Sequence, residues 1–507
     1  MRWAAPILSV LLAALASGPA CAATEAAPWM RDGRPTPQAR ALVEALRDVA
    51  QFGLDPRDFA AELAILGSAA APPRDSMAAL DRAARRLLLQ LHGGRVDPRA
   101  AGYALTQARV PLDVDAALRR VATAPVLRDA LAEVEPRSAQ YRALEAALAR
   151  YRRIPATLAR LPPAPTLRAG DPYVGAAQLA RLLAAFGDLP ADAAARLTDI
   201  AAAAIYDGAL AAGVAAFQRR HGLLPDGVLG RRTFAALTVP VASRRRQIEL
   251  TLERWRWLPP LRPPAVIVNV PQFVLYALDA GADPAAAPAL HLPVVVGETA
   301  RQTPIFDTSI EAVVFRPYWD VPRSIVRDEL LPRLQREPDY LERHEMEIVA
   351  GDRVLPPDAA GLAALRAGQA RLRQRPGRDN ALGLIKFVMP NPYSVYLHST
   401  PEPQLFSLAR RALSHGCIRV SDATALAAWL LADTPGTWNA DAIEAATCAD
   451  TTLTVRLSRP VPVYVLYGTV VVDADGRLLF FDDIYGYDRR LERLLARGSR
   501  LTRASRP

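Results

Sequence analysis

The chain has 507 residues and only three cysteines, Cys21, Cys417 and Cys448. Thiols so few and so widely spaced exclude a disulfide framework and a CxxC metal clip. Histidine is also scarce, with six residues. Chemistry that depends on an imidazole therefore has few candidate side chains.

Lysine is almost absent, since Lys386 is the single lysine among 62 basic residues. The other basic residues are arginines, and the abundance of alanine and proline around them indicates a coding bias. The formal charge of +10 therefore does not by itself indicate a nucleic-acid partner. The sequence shows no recognisable nucleic-acid-binding module, and we predict that no nucleic acid is bound.

Apolar residues make up 51% of the chain and charged residues 22%, which is typical of a globular protein. At roughly 100 to 200 residues per domain, the length predicts two to four domains. Helical spacing predicts a scaffold domain over 28–165 and a second helical domain over 171–240. Alternating strands over 243–490 predict a β-rich domain, interrupted by a helical insertion over about 327–375. The fold class is therefore multidomain α+β.

Residues 1–22 have the pattern of a secretory signal peptide. The apolar run is shorter than the roughly 20 residues of a membrane span, and Ala20 and Ala22 fit an A-x-A cleavage site. We predict export to the periplasm, cleavage after Ala22 and no stable membrane span in the mature chain. A lipid anchor on Cys21 and an uncleaved anchor helix are the competing interpretations.

Cleavage would leave two thiols in the mature chain. Exported proteins usually pair or avoid cysteines, so an unpaired thiol needs a reason, and catalysis is one. Cys448, which follows Ala445-Ala446-Thr447, is predicted to be a buried small apolar residue. Cys417 has a different context, because His398 and His415 lie within twenty residues of it.

The second helical domain contains a specific motif. Phe217-Gln218 ends one helix pattern, and Asp226-Gly227-Val228-Leu229-Gly230-Arg231-Arg232-Thr233 follows. This pattern resembles the three-helix peptidoglycan-binding domain. Most of these residues are interpreted as folding the module, while the resemblance implies that the module as a whole is a platform for glycan strands or stem peptides.

The segment Ser414-His415-Gly416-Cys417-Ile418-Arg419 has the features of a nucleophile site. A helix pattern follows it, with Ser421 or Asp422 as the cap, and a thiol near a helix N-terminus and Arg419 is expected to favour the thiolate. The N–H groups of Gly416 and Cys417 are candidates for holding an oxyanion. His398 is the candidate base, with its tautomer set by the carbonyl of Ser399.

These residues resemble the L,D-transpeptidases, whose catalytic domain carries a histidine followed by a Ser-His-Gly-Cys signature. Further blocks resemble the large periplasmic subfamily with a scaffold, a peptidoglycan-binding domain and a lid-like insertion: Arg301-Gln302-Thr303-Pro304, Pro317-Tyr318-Trp319-Asp320-Val321-Pro322, Arg371-Leu372-Arg373-Gln374-Arg375-Pro376-Gly377 and Asn380-Ala381-Leu382-Gly383-Leu384-Ile385-Lys386-Phe387. The resemblance spans nearly all of the mature chain.

The resemblance implies a cysteine-dependent acyltransferase that builds 3-3 cross-links in peptidoglycan, for cell wall biogenesis and cell shape. Cys417 would be the nucleophile and His398 the proton donor and acceptor, assisted by His415 and Gly416. Substrate contacts are assigned to a further set: Arg419, Ser399, Ser414, Tyr396 and Trp319. The donor would be a tetrapeptide stem, carbapenem β-lactams would be covalent inhibitors, and no metal or cofactor is required.

Several alternatives stay open at this stage. The same site could serve an L,D-carboxypeptidase or D-amino-acid exchange, and a non-catalytic wall-binding scaffold is a rival from another class. His415 and Arg419 could each act as a structural brace. Lys386 is either a product of drift or a point charge that the site requires. The acceptor, the third stem residue and the oligomeric state cannot be read from the sequence.

Overall fold

A computed structural model describes residues 29–504, except 33, 69, 71, 107–108, 200–203 and 281–287. The predicted signal peptide and Cys21 lie outside the described residues. Within them, no helix has the length and apolar character needed to cross a membrane.

The N-terminal region is helical, as its spacing predicts. Side chains cap the helices locally; Ser138, for example, accepts a hydrogen bond from the N–H of Tyr141 at 3.1 Å. Leucines at helical spacing, such as Leu42, Leu46 and Leu87, are fully buried in one core. The elements are β1 (Met30–Arg31), β2 (Arg34–Pro35), α1 (Pro37–Arg47), α2 (Ala60–Leu66), α3 (Pro73–Gly93), α4 (Pro98–Ala101), β3 (Tyr103–Ala104), α5 (Val114–Thr123), α6 (Leu127–Ala132) and α7 (Ala139–Arg152).

Among the residues described between 171 and 240, the second domain contains four helices, and a long helix that leads to the sheet follows them. Its elements are β4 (Asp171–Pro172), α8 (Ala176–Phe186), α9 (Ala191–Asp199), β5 (Ile205–Tyr206), α10 (Gly208–Arg220), α11 (Arg231–Leu237) and the connecting helix α12 (Val241–Trp257). The motif residues bond to one another: Gln218 Nε2 donates to Asp226 Oδ1 at 2.9 Å and to Thr233 Oγ1 at 3.0 Å. These motif residues therefore stabilise the module, as predicted.

The second domain shares its core with the rest of the chain. Its buried cluster continues into α7, α12 and a C-terminal hairpin that contains Phe480. The buried guanidinium of Arg220 pairs with Asp188 and also donates to the carbonyl of Leu478 in that hairpin. The domain is thus held against the C-terminal hairpin by apolar packing and by the hydrogen bond from Arg220, whose guanidinium is itself fixed by the buried carboxylate of Asp188.

The β-rich region begins with four strands: β6 (Ala265–Asn269), β7 (Val274–Leu278), β8 (Leu290–Gly297) and β9 (Ile305–Phe315). The insertion comes next and has its own core around Val326, Leu330 and Leu372. It consists of β10 (Trp319–Asp320), α13 (Arg323–Ile325), a π-helical turn (Val326–Leu330), α14 (Leu331–Leu334), α15 (Tyr340–Arg343), β11 (Met346–Ala350), β12 (Arg353–Leu355), α16 (Ala359–Arg366) and β13 (Arg371–Gln374). Its small sheet has the order β10-β13-β11-β12 and includes Trp319, upstream of position 327.

The chain then returns to the main sheet and ends in a helix. The remaining elements are β14 (Ile385–Val388), β15 (Leu397–His398), β16 (Ala412–Ser414), β17 (Ile418–Val420), α17 (Ala423–Leu431), α18 (Ala440–Cys448), β18 (Leu453–Leu466), β19 (Val470–Val472), β20 (Leu478–Phe480) and α19 (Tyr487–Ala504). The turn Asp473-Ala474-Asp475-Gly476 joins β19 and β20 as a hairpin, as predicted.

The main sheet closes on itself. Its strand order is β14-β15-β17-β8-β7-β6-β18-β9, and β9 also pairs with β14. The scaffold contributes β3, which pairs in parallel with β9. Strand β15 pairs in parallel with β17, with Leu397 opposite Ile418, so the residues that precede the two strands, Tyr396 and Cys417, lie side by side. That region of the sheet carries the chemical side chains.

Candidate active site

Strand alternation gathers the candidate side chains on one face of the sheet. Lys386 is directly opposite His398 in the β14–β15 pair, so both side chains point to the same face. Tyr396 precedes His398 by two residues and shares that face. The intervening Leu397 and Phe387 point the other way and are fully buried in the core. In the parallel partner strand, Ile418 N–H donates to the carbonyl of Tyr396 at 3.0 Å.

Ser414 braces the turn that presents Cys417. Its hydroxyl donates to the carbonyl of Cys417 at 2.5 Å and accepts from the N–H of Gly416 at 3.1 Å. Gly416 has φ of 117°, a conformation that favours glycine. The Gly416 N–H is bonded to the Ser414 hydroxyl in this arrangement, so its part in holding an oxyanion stays a prediction.

The Cys417 thiol is half-buried and protonated in its preferred state. Sγ donates to the carbonyl of Ser394 at 3.8 Å. Burial raises the pKa of Cys417, while hydrogen-bonding interactions with Tyr396 and the positive charges of Lys386 and Arg419 oppose the shift without cancelling it. Among the described residues, no hydrogen bond joins the thiol to the imidazole of His398.

The expected helix N-terminus does not adjoin the thiol. Strand β17 follows Cys417 directly, and α17 begins only at Ala423, with Asp422 as its cap. Dipole stabilisation falls off within the first helical turn. The expectation of a thiolate stabilised by the helix is therefore wrong, because the strand separates the two and desolvation dominates the pKa.

His398 is buried and held by a carbonyl. Its Nδ1 lies 2.6 Å from the carbonyl oxygen of Ser399, as predicted, and a carbonyl can only accept, so Nδ1 carries the proton. Nε2 is then the basic nitrogen. Burial first, and then the charge of Arg419, lowers the pKa of His398 to about 3. The imidazole is therefore neutral at physiological pH.

The loop at Ser399 is fixed by the segment that precedes β14. The Ser399 hydroxyl donates to the carbonyl of Leu382 at 3.1 Å and accepts from the N–H of Ile385 at 2.9 Å. Gly383 passes so close that an added Cβ would lie 2.3 Å from the Ser399 hydroxyl oxygen. The glycine in the Asn380–Phe387 block thus permits the contact that positions His398.

Arg419 is already matched by a carboxylate. Its guanidinium pairs with Glu402 and lies 3.4 Å from Thr400 Oγ1. Its charge still acts on His398 and Cys417. The structure therefore places Arg419 beside the site as a brace of the loop that follows His398.

The insertion reaches the site at two places. His415 Nε2 lies 2.8 Å from Glu329 Oε1, in the π-helical turn of the insertion, and Glu329 also accepts from Arg301 at 2.5 Å. Burial raises the pKa of Glu329, and the hydrogen bonds from His415 and Arg301 outweigh it, so the net shift is downward. Trp319 is half-buried, and its hydrogen-bonding interaction opposes the rise that burial causes in the pKa of Tyr396. His415 is thus directed towards the insertion.

Three contacts of the site could not be predicted from the sequence. Glu329, Glu402 and the carbonyl of Ser394 each bond to a predicted residue from a distant position in the chain. Glu329 stands in a charged segment and Glu402 between two prolines, and neither belongs to a recognised motif, so only the tertiary structure reveals them. Cys448 was expected to be buried but is exposed, because Ile443 and Ala446 occupy the core-facing positions of α18.

Two other features bear on ligands. Among the described residues, no group of three His, Cys, Asp or Glu side chains is placed to hold a metal ion.

A mostly apolar cavity of about 790 Å³ lies between α7, α12 and the outer surface of the β6–β7 strands, lined by Trp255, Tyr276 and Leu479 among others. None of the site side chains described above lines it.

Comparison with known proteins agrees with these elements. Residues 263–456 match the family model "YkuD", described as the L,D-transpeptidase catalytic domain. Residues 23–148 match a scaffold domain, and residues 175–237 match a "Putative peptidoglycan binding domain". A Haemophilus influenzae protein named "Putative L,D-transpeptidase" is 32% identical over 279 residues, which are 54% of this chain and 55% of the relative. The match thus spans about half the length of that curated relative.

Proposed function

We propose that this chain, which carries an L,D-transpeptidase catalytic domain beside scaffold and peptidoglycan-binding domains, forms 3-3 cross-links in peptidoglycan through a thioester on Cys417. The observation that carries the proposal is the shared face of the sheet. There a half-buried thiol, a buried neutral imidazole and a tyrosine hydroxyl lie on adjacent strands. A thiol with a base and a fixed tautomer is suited to acyl transfer.

The first step is acylation by the donor stem. The Cys417 thiol gives its proton to Nε2 of His398 and attacks the carbonyl that precedes the terminal D-alanine of a tetrapeptide. The carbon–sulfur bond forms, the carbon–nitrogen bond breaks, and the imidazolium returns the proton to the departing D-alanine amine. Thioester and free D-alanine are the products; the thiol proton leaves on the amine of D-alanine, and His398 is neutral again.

The pKa directions support proton transfer that accompanies attack. Burial raises the pKa of Cys417 and lowers that of His398, so the resting pair is neutral thiol and neutral imidazole. The ion pair forms only as the carbonyl is attacked, when Tyr396, Lys386 and Arg419 stabilise the sulfur anion. The thiol must first rotate from the Ser394 carbonyl towards Nε2, as apo sites commonly require.

The second step transfers the acyl group to an amine. The side-chain amine of a second stem loses a proton to His398 and attacks the thioester carbonyl. The carbon–nitrogen bond forms, the carbon–sulfur bond breaks, and the imidazolium returns the proton to the sulfur, which restores the thiol and leaves an amide cross-link. Water in place of the amine would give an L,D-carboxypeptidase. The insertion, which contacts the site through Glu329 and Trp319, would exclude that water.

The remaining assignments follow from the substrate. We propose that residues 1–22 direct export, that the mature chain works in the periplasm, and that glycan strands or stem peptides contact the module at 175–237. A carbapenem would acylate Cys417 as the stem peptide does. Ser399 and Ser414 would position the two reacting side chains, and Trp319 would line the acyl site.

The function is tested by product analysis. Incubating the mature protein with a disaccharide tetrapeptide should give a cross-linked dimer that lacks one D-alanine, and the Cys417→Ala variant should give none. A tripeptide product alone would indicate the carboxypeptidase, and incorporation of an added D-amino acid would indicate exchange. Absence of all three products, with binding to peptidoglycan retained, would leave the wall-binding scaffold as the function.

A further inference from the structure

Lys386 stands inside the acyl-transfer site described above. Its backbone is paired with His398, and its Nζ lies 4.2 Å from the ring centroid of Tyr396. Cys417 and Asp320 both act on it electrostatically. The ammonium therefore shares the sheet face that carries the thiol and the imidazole.

The other cations around Cys417 already have carboxylate partners. Arg419 pairs with Glu402, and Arg301 pairs with Glu329 at 2.5 Å. In the part of the chain that the structure describes, the Lys386 ammonium has no ion pair and no hydrogen-bond acceptor; it contacts only the face of Tyr396. Asp320, the acid that acts on it, is bonded to Arg371 at 3.1 Å. Lys386 thus keeps its donors available beside the nucleophile.

A structural role does not account for this lysine. The side chain is half-buried, and burial lowers the pKa of Lys386 because a desolvated ammonium is disfavoured. The chain uses arginine at every other basic position, although a planar guanidinium also stacks well on an aromatic ring. The lysine supplies a compact point charge with three rotatable donors at this position.

The donor stem supplies such a carboxylate. In a tetrapeptide whose third residue is the acyl group, the terminal D-alanine carboxylate lies two covalent bonds from the scissile nitrogen. A cation that contacts it must therefore stand next to the nucleophile, as Lys386 does. Resting on the function proposed above, we infer that the Lys386 ammonium binds the terminal carboxylate of the donor stem and so selects stems that end in a free carboxylate after the scissile bond.

The test compares two donors on the mature enzyme. One is the disaccharide tetrapeptide, and the other is the same molecule with its D-alanine carboxylate converted to the amide. Acyl-enzyme formation, followed by intact mass, gives kcat/KM for each. We expect wild type to prefer the free acid by about tenfold to a hundredfold, the range for a charge-assisted hydrogen bond.

Variants of Lys386 test whether this residue causes the preference for the free acid. Lys386→Met should make kcat/KM for the acid equal to that for the amide, and a ratio that stays at the wild-type value would overturn the assignment. The ratio is the readout, because Lys386 also stabilises the sulfur anion and its loss should slow acylation by both donors. Lys386→Arg should keep part of the preference. The matched control is Arg373→Met, because Arg373 also lies over a tyrosine, 4.4 Å from the ring centroid of Tyr318, but pairs with Glu347 at 2.8 Å; its acid-to-amide ratio should equal that of wild type.

The outcomes separate the two claims. Equal wild-type rates on acid and amide would overturn the assignment of Lys386 and leave the transpeptidase function standing, whereas no acyl-enzyme from either donor would overturn both. If Lys386→Met does not fold, the acid-to-amide ratios of kcat/KM for wild type and for Lys386→Arg test the assignment instead. Equal rates of acyl-enzyme formation from the acid and the amide, with cross-linking slowed only when the acceptor stem is amidated, would place the bound carboxylate on the acceptor and contradict the donor assignment.

Discussion

The imidazole Nε2 of His415 lies 2.8 Å from the carboxylate Oε1 of Glu329, which joins the loop before Cys417 to the insertion. The same carboxylate accepts from Arg301. These contacts link the position of the insertion to the turn that presents the nucleophile. Substituting Glu329 should change access of water to the site without changing the thiol itself.

Glu329→Gln should loosen the insertion. An exposed ion pair contributes about 0.2–1 kcal/mol, so we expect amide hydrogen exchange over 319–374 to rise about twofold to fivefold, and hydrolysis to increase relative to cross-linking. The carboxylate has a lowered pKa, so its contribution is present above its ordinary value of 4.5 and is lost as the pH falls through the lowered value.

The control for this variant is Glu337→Gln. Glu337 pairs with Arg333 and Arg343 within the insertion, and among the described residues it has no bond to the nucleophile loop. Equal exchange in the two variants would contradict the role of the His415–Glu329 contact.

His398→Gln should remove the base while preserving an amide of similar length. General-base catalysis contributes about 10²–10⁴-fold, and kcat/KM for acylation should fall within that range. Because the pKa of His398 is about 3, the wild-type pH profile should show no inflection near 6.5. A step between pH 6 and 7 that disappears in the variant would contradict the neutral pair.

Tyr396→Phe should raise the pKa of Cys417 further. The hydroxyl lowers that pKa through a hydrogen-bonding interaction, while the ring that contacts Lys386 is kept. Alkylation of Cys417 by iodoacetamide at pH 8 should slow about tenfold, since a hydrogen bond to a charged group contributes about 1.5–3 kcal/mol. Tyr393→Phe is the control, because Tyr393 is exposed and packs on Phe306. Equal alkylation rates in wild type and Tyr396→Phe would exclude this role.

Arg220→Met should destabilise the junction between the second helical domain and the hairpin. It leaves the carboxylate of Asp188 buried and unpaired, which costs about 3–5 kcal/mol. Calorimetry should show an earlier unfolding transition, whereas the exposed neighbour Arg219→Met should unfold like wild type. The double variant Arg220→Met with Asp188→Leu should recover much of the loss; a double variant no more stable than the single one would argue against the ion pair.

The sequence predicted the elements and the chemical residues because both are local patterns. Alternation in the strands, the Phe-Gln and Asp-Gly motif and the Ser-His-Gly-Cys turn each lie within a few residues, and the structure shows the strands, the motif contacts and the Ser399 carbonyl at Nδ1 of His398. These features need no knowledge of distant segments.

What the sequence missed depends on long-range packing. Glu329 reaches His415 across the insertion, and the pKa of Cys417 reflects burial that no motif encodes. Strand β17 has three residues, too few for a recognisable alternation, so the helix was expected to start beside the thiol. The exposed Cys448 shows the same limit, because its place on α18 depends on which side faces the core.

The most direct test of the account is the intact mass of the mature protein after incubation with the disaccharide tetrapeptide. The account predicts an adduct equal to the tetrapeptide substrate less D-alanine on wild type, mapped to Cys417 and absent from Cys417→Ala. An adduct of the same mass on Cys417→Ala, or no adduct on wild type under conditions where cross-linked product accumulates, would contradict a thioester on Cys417.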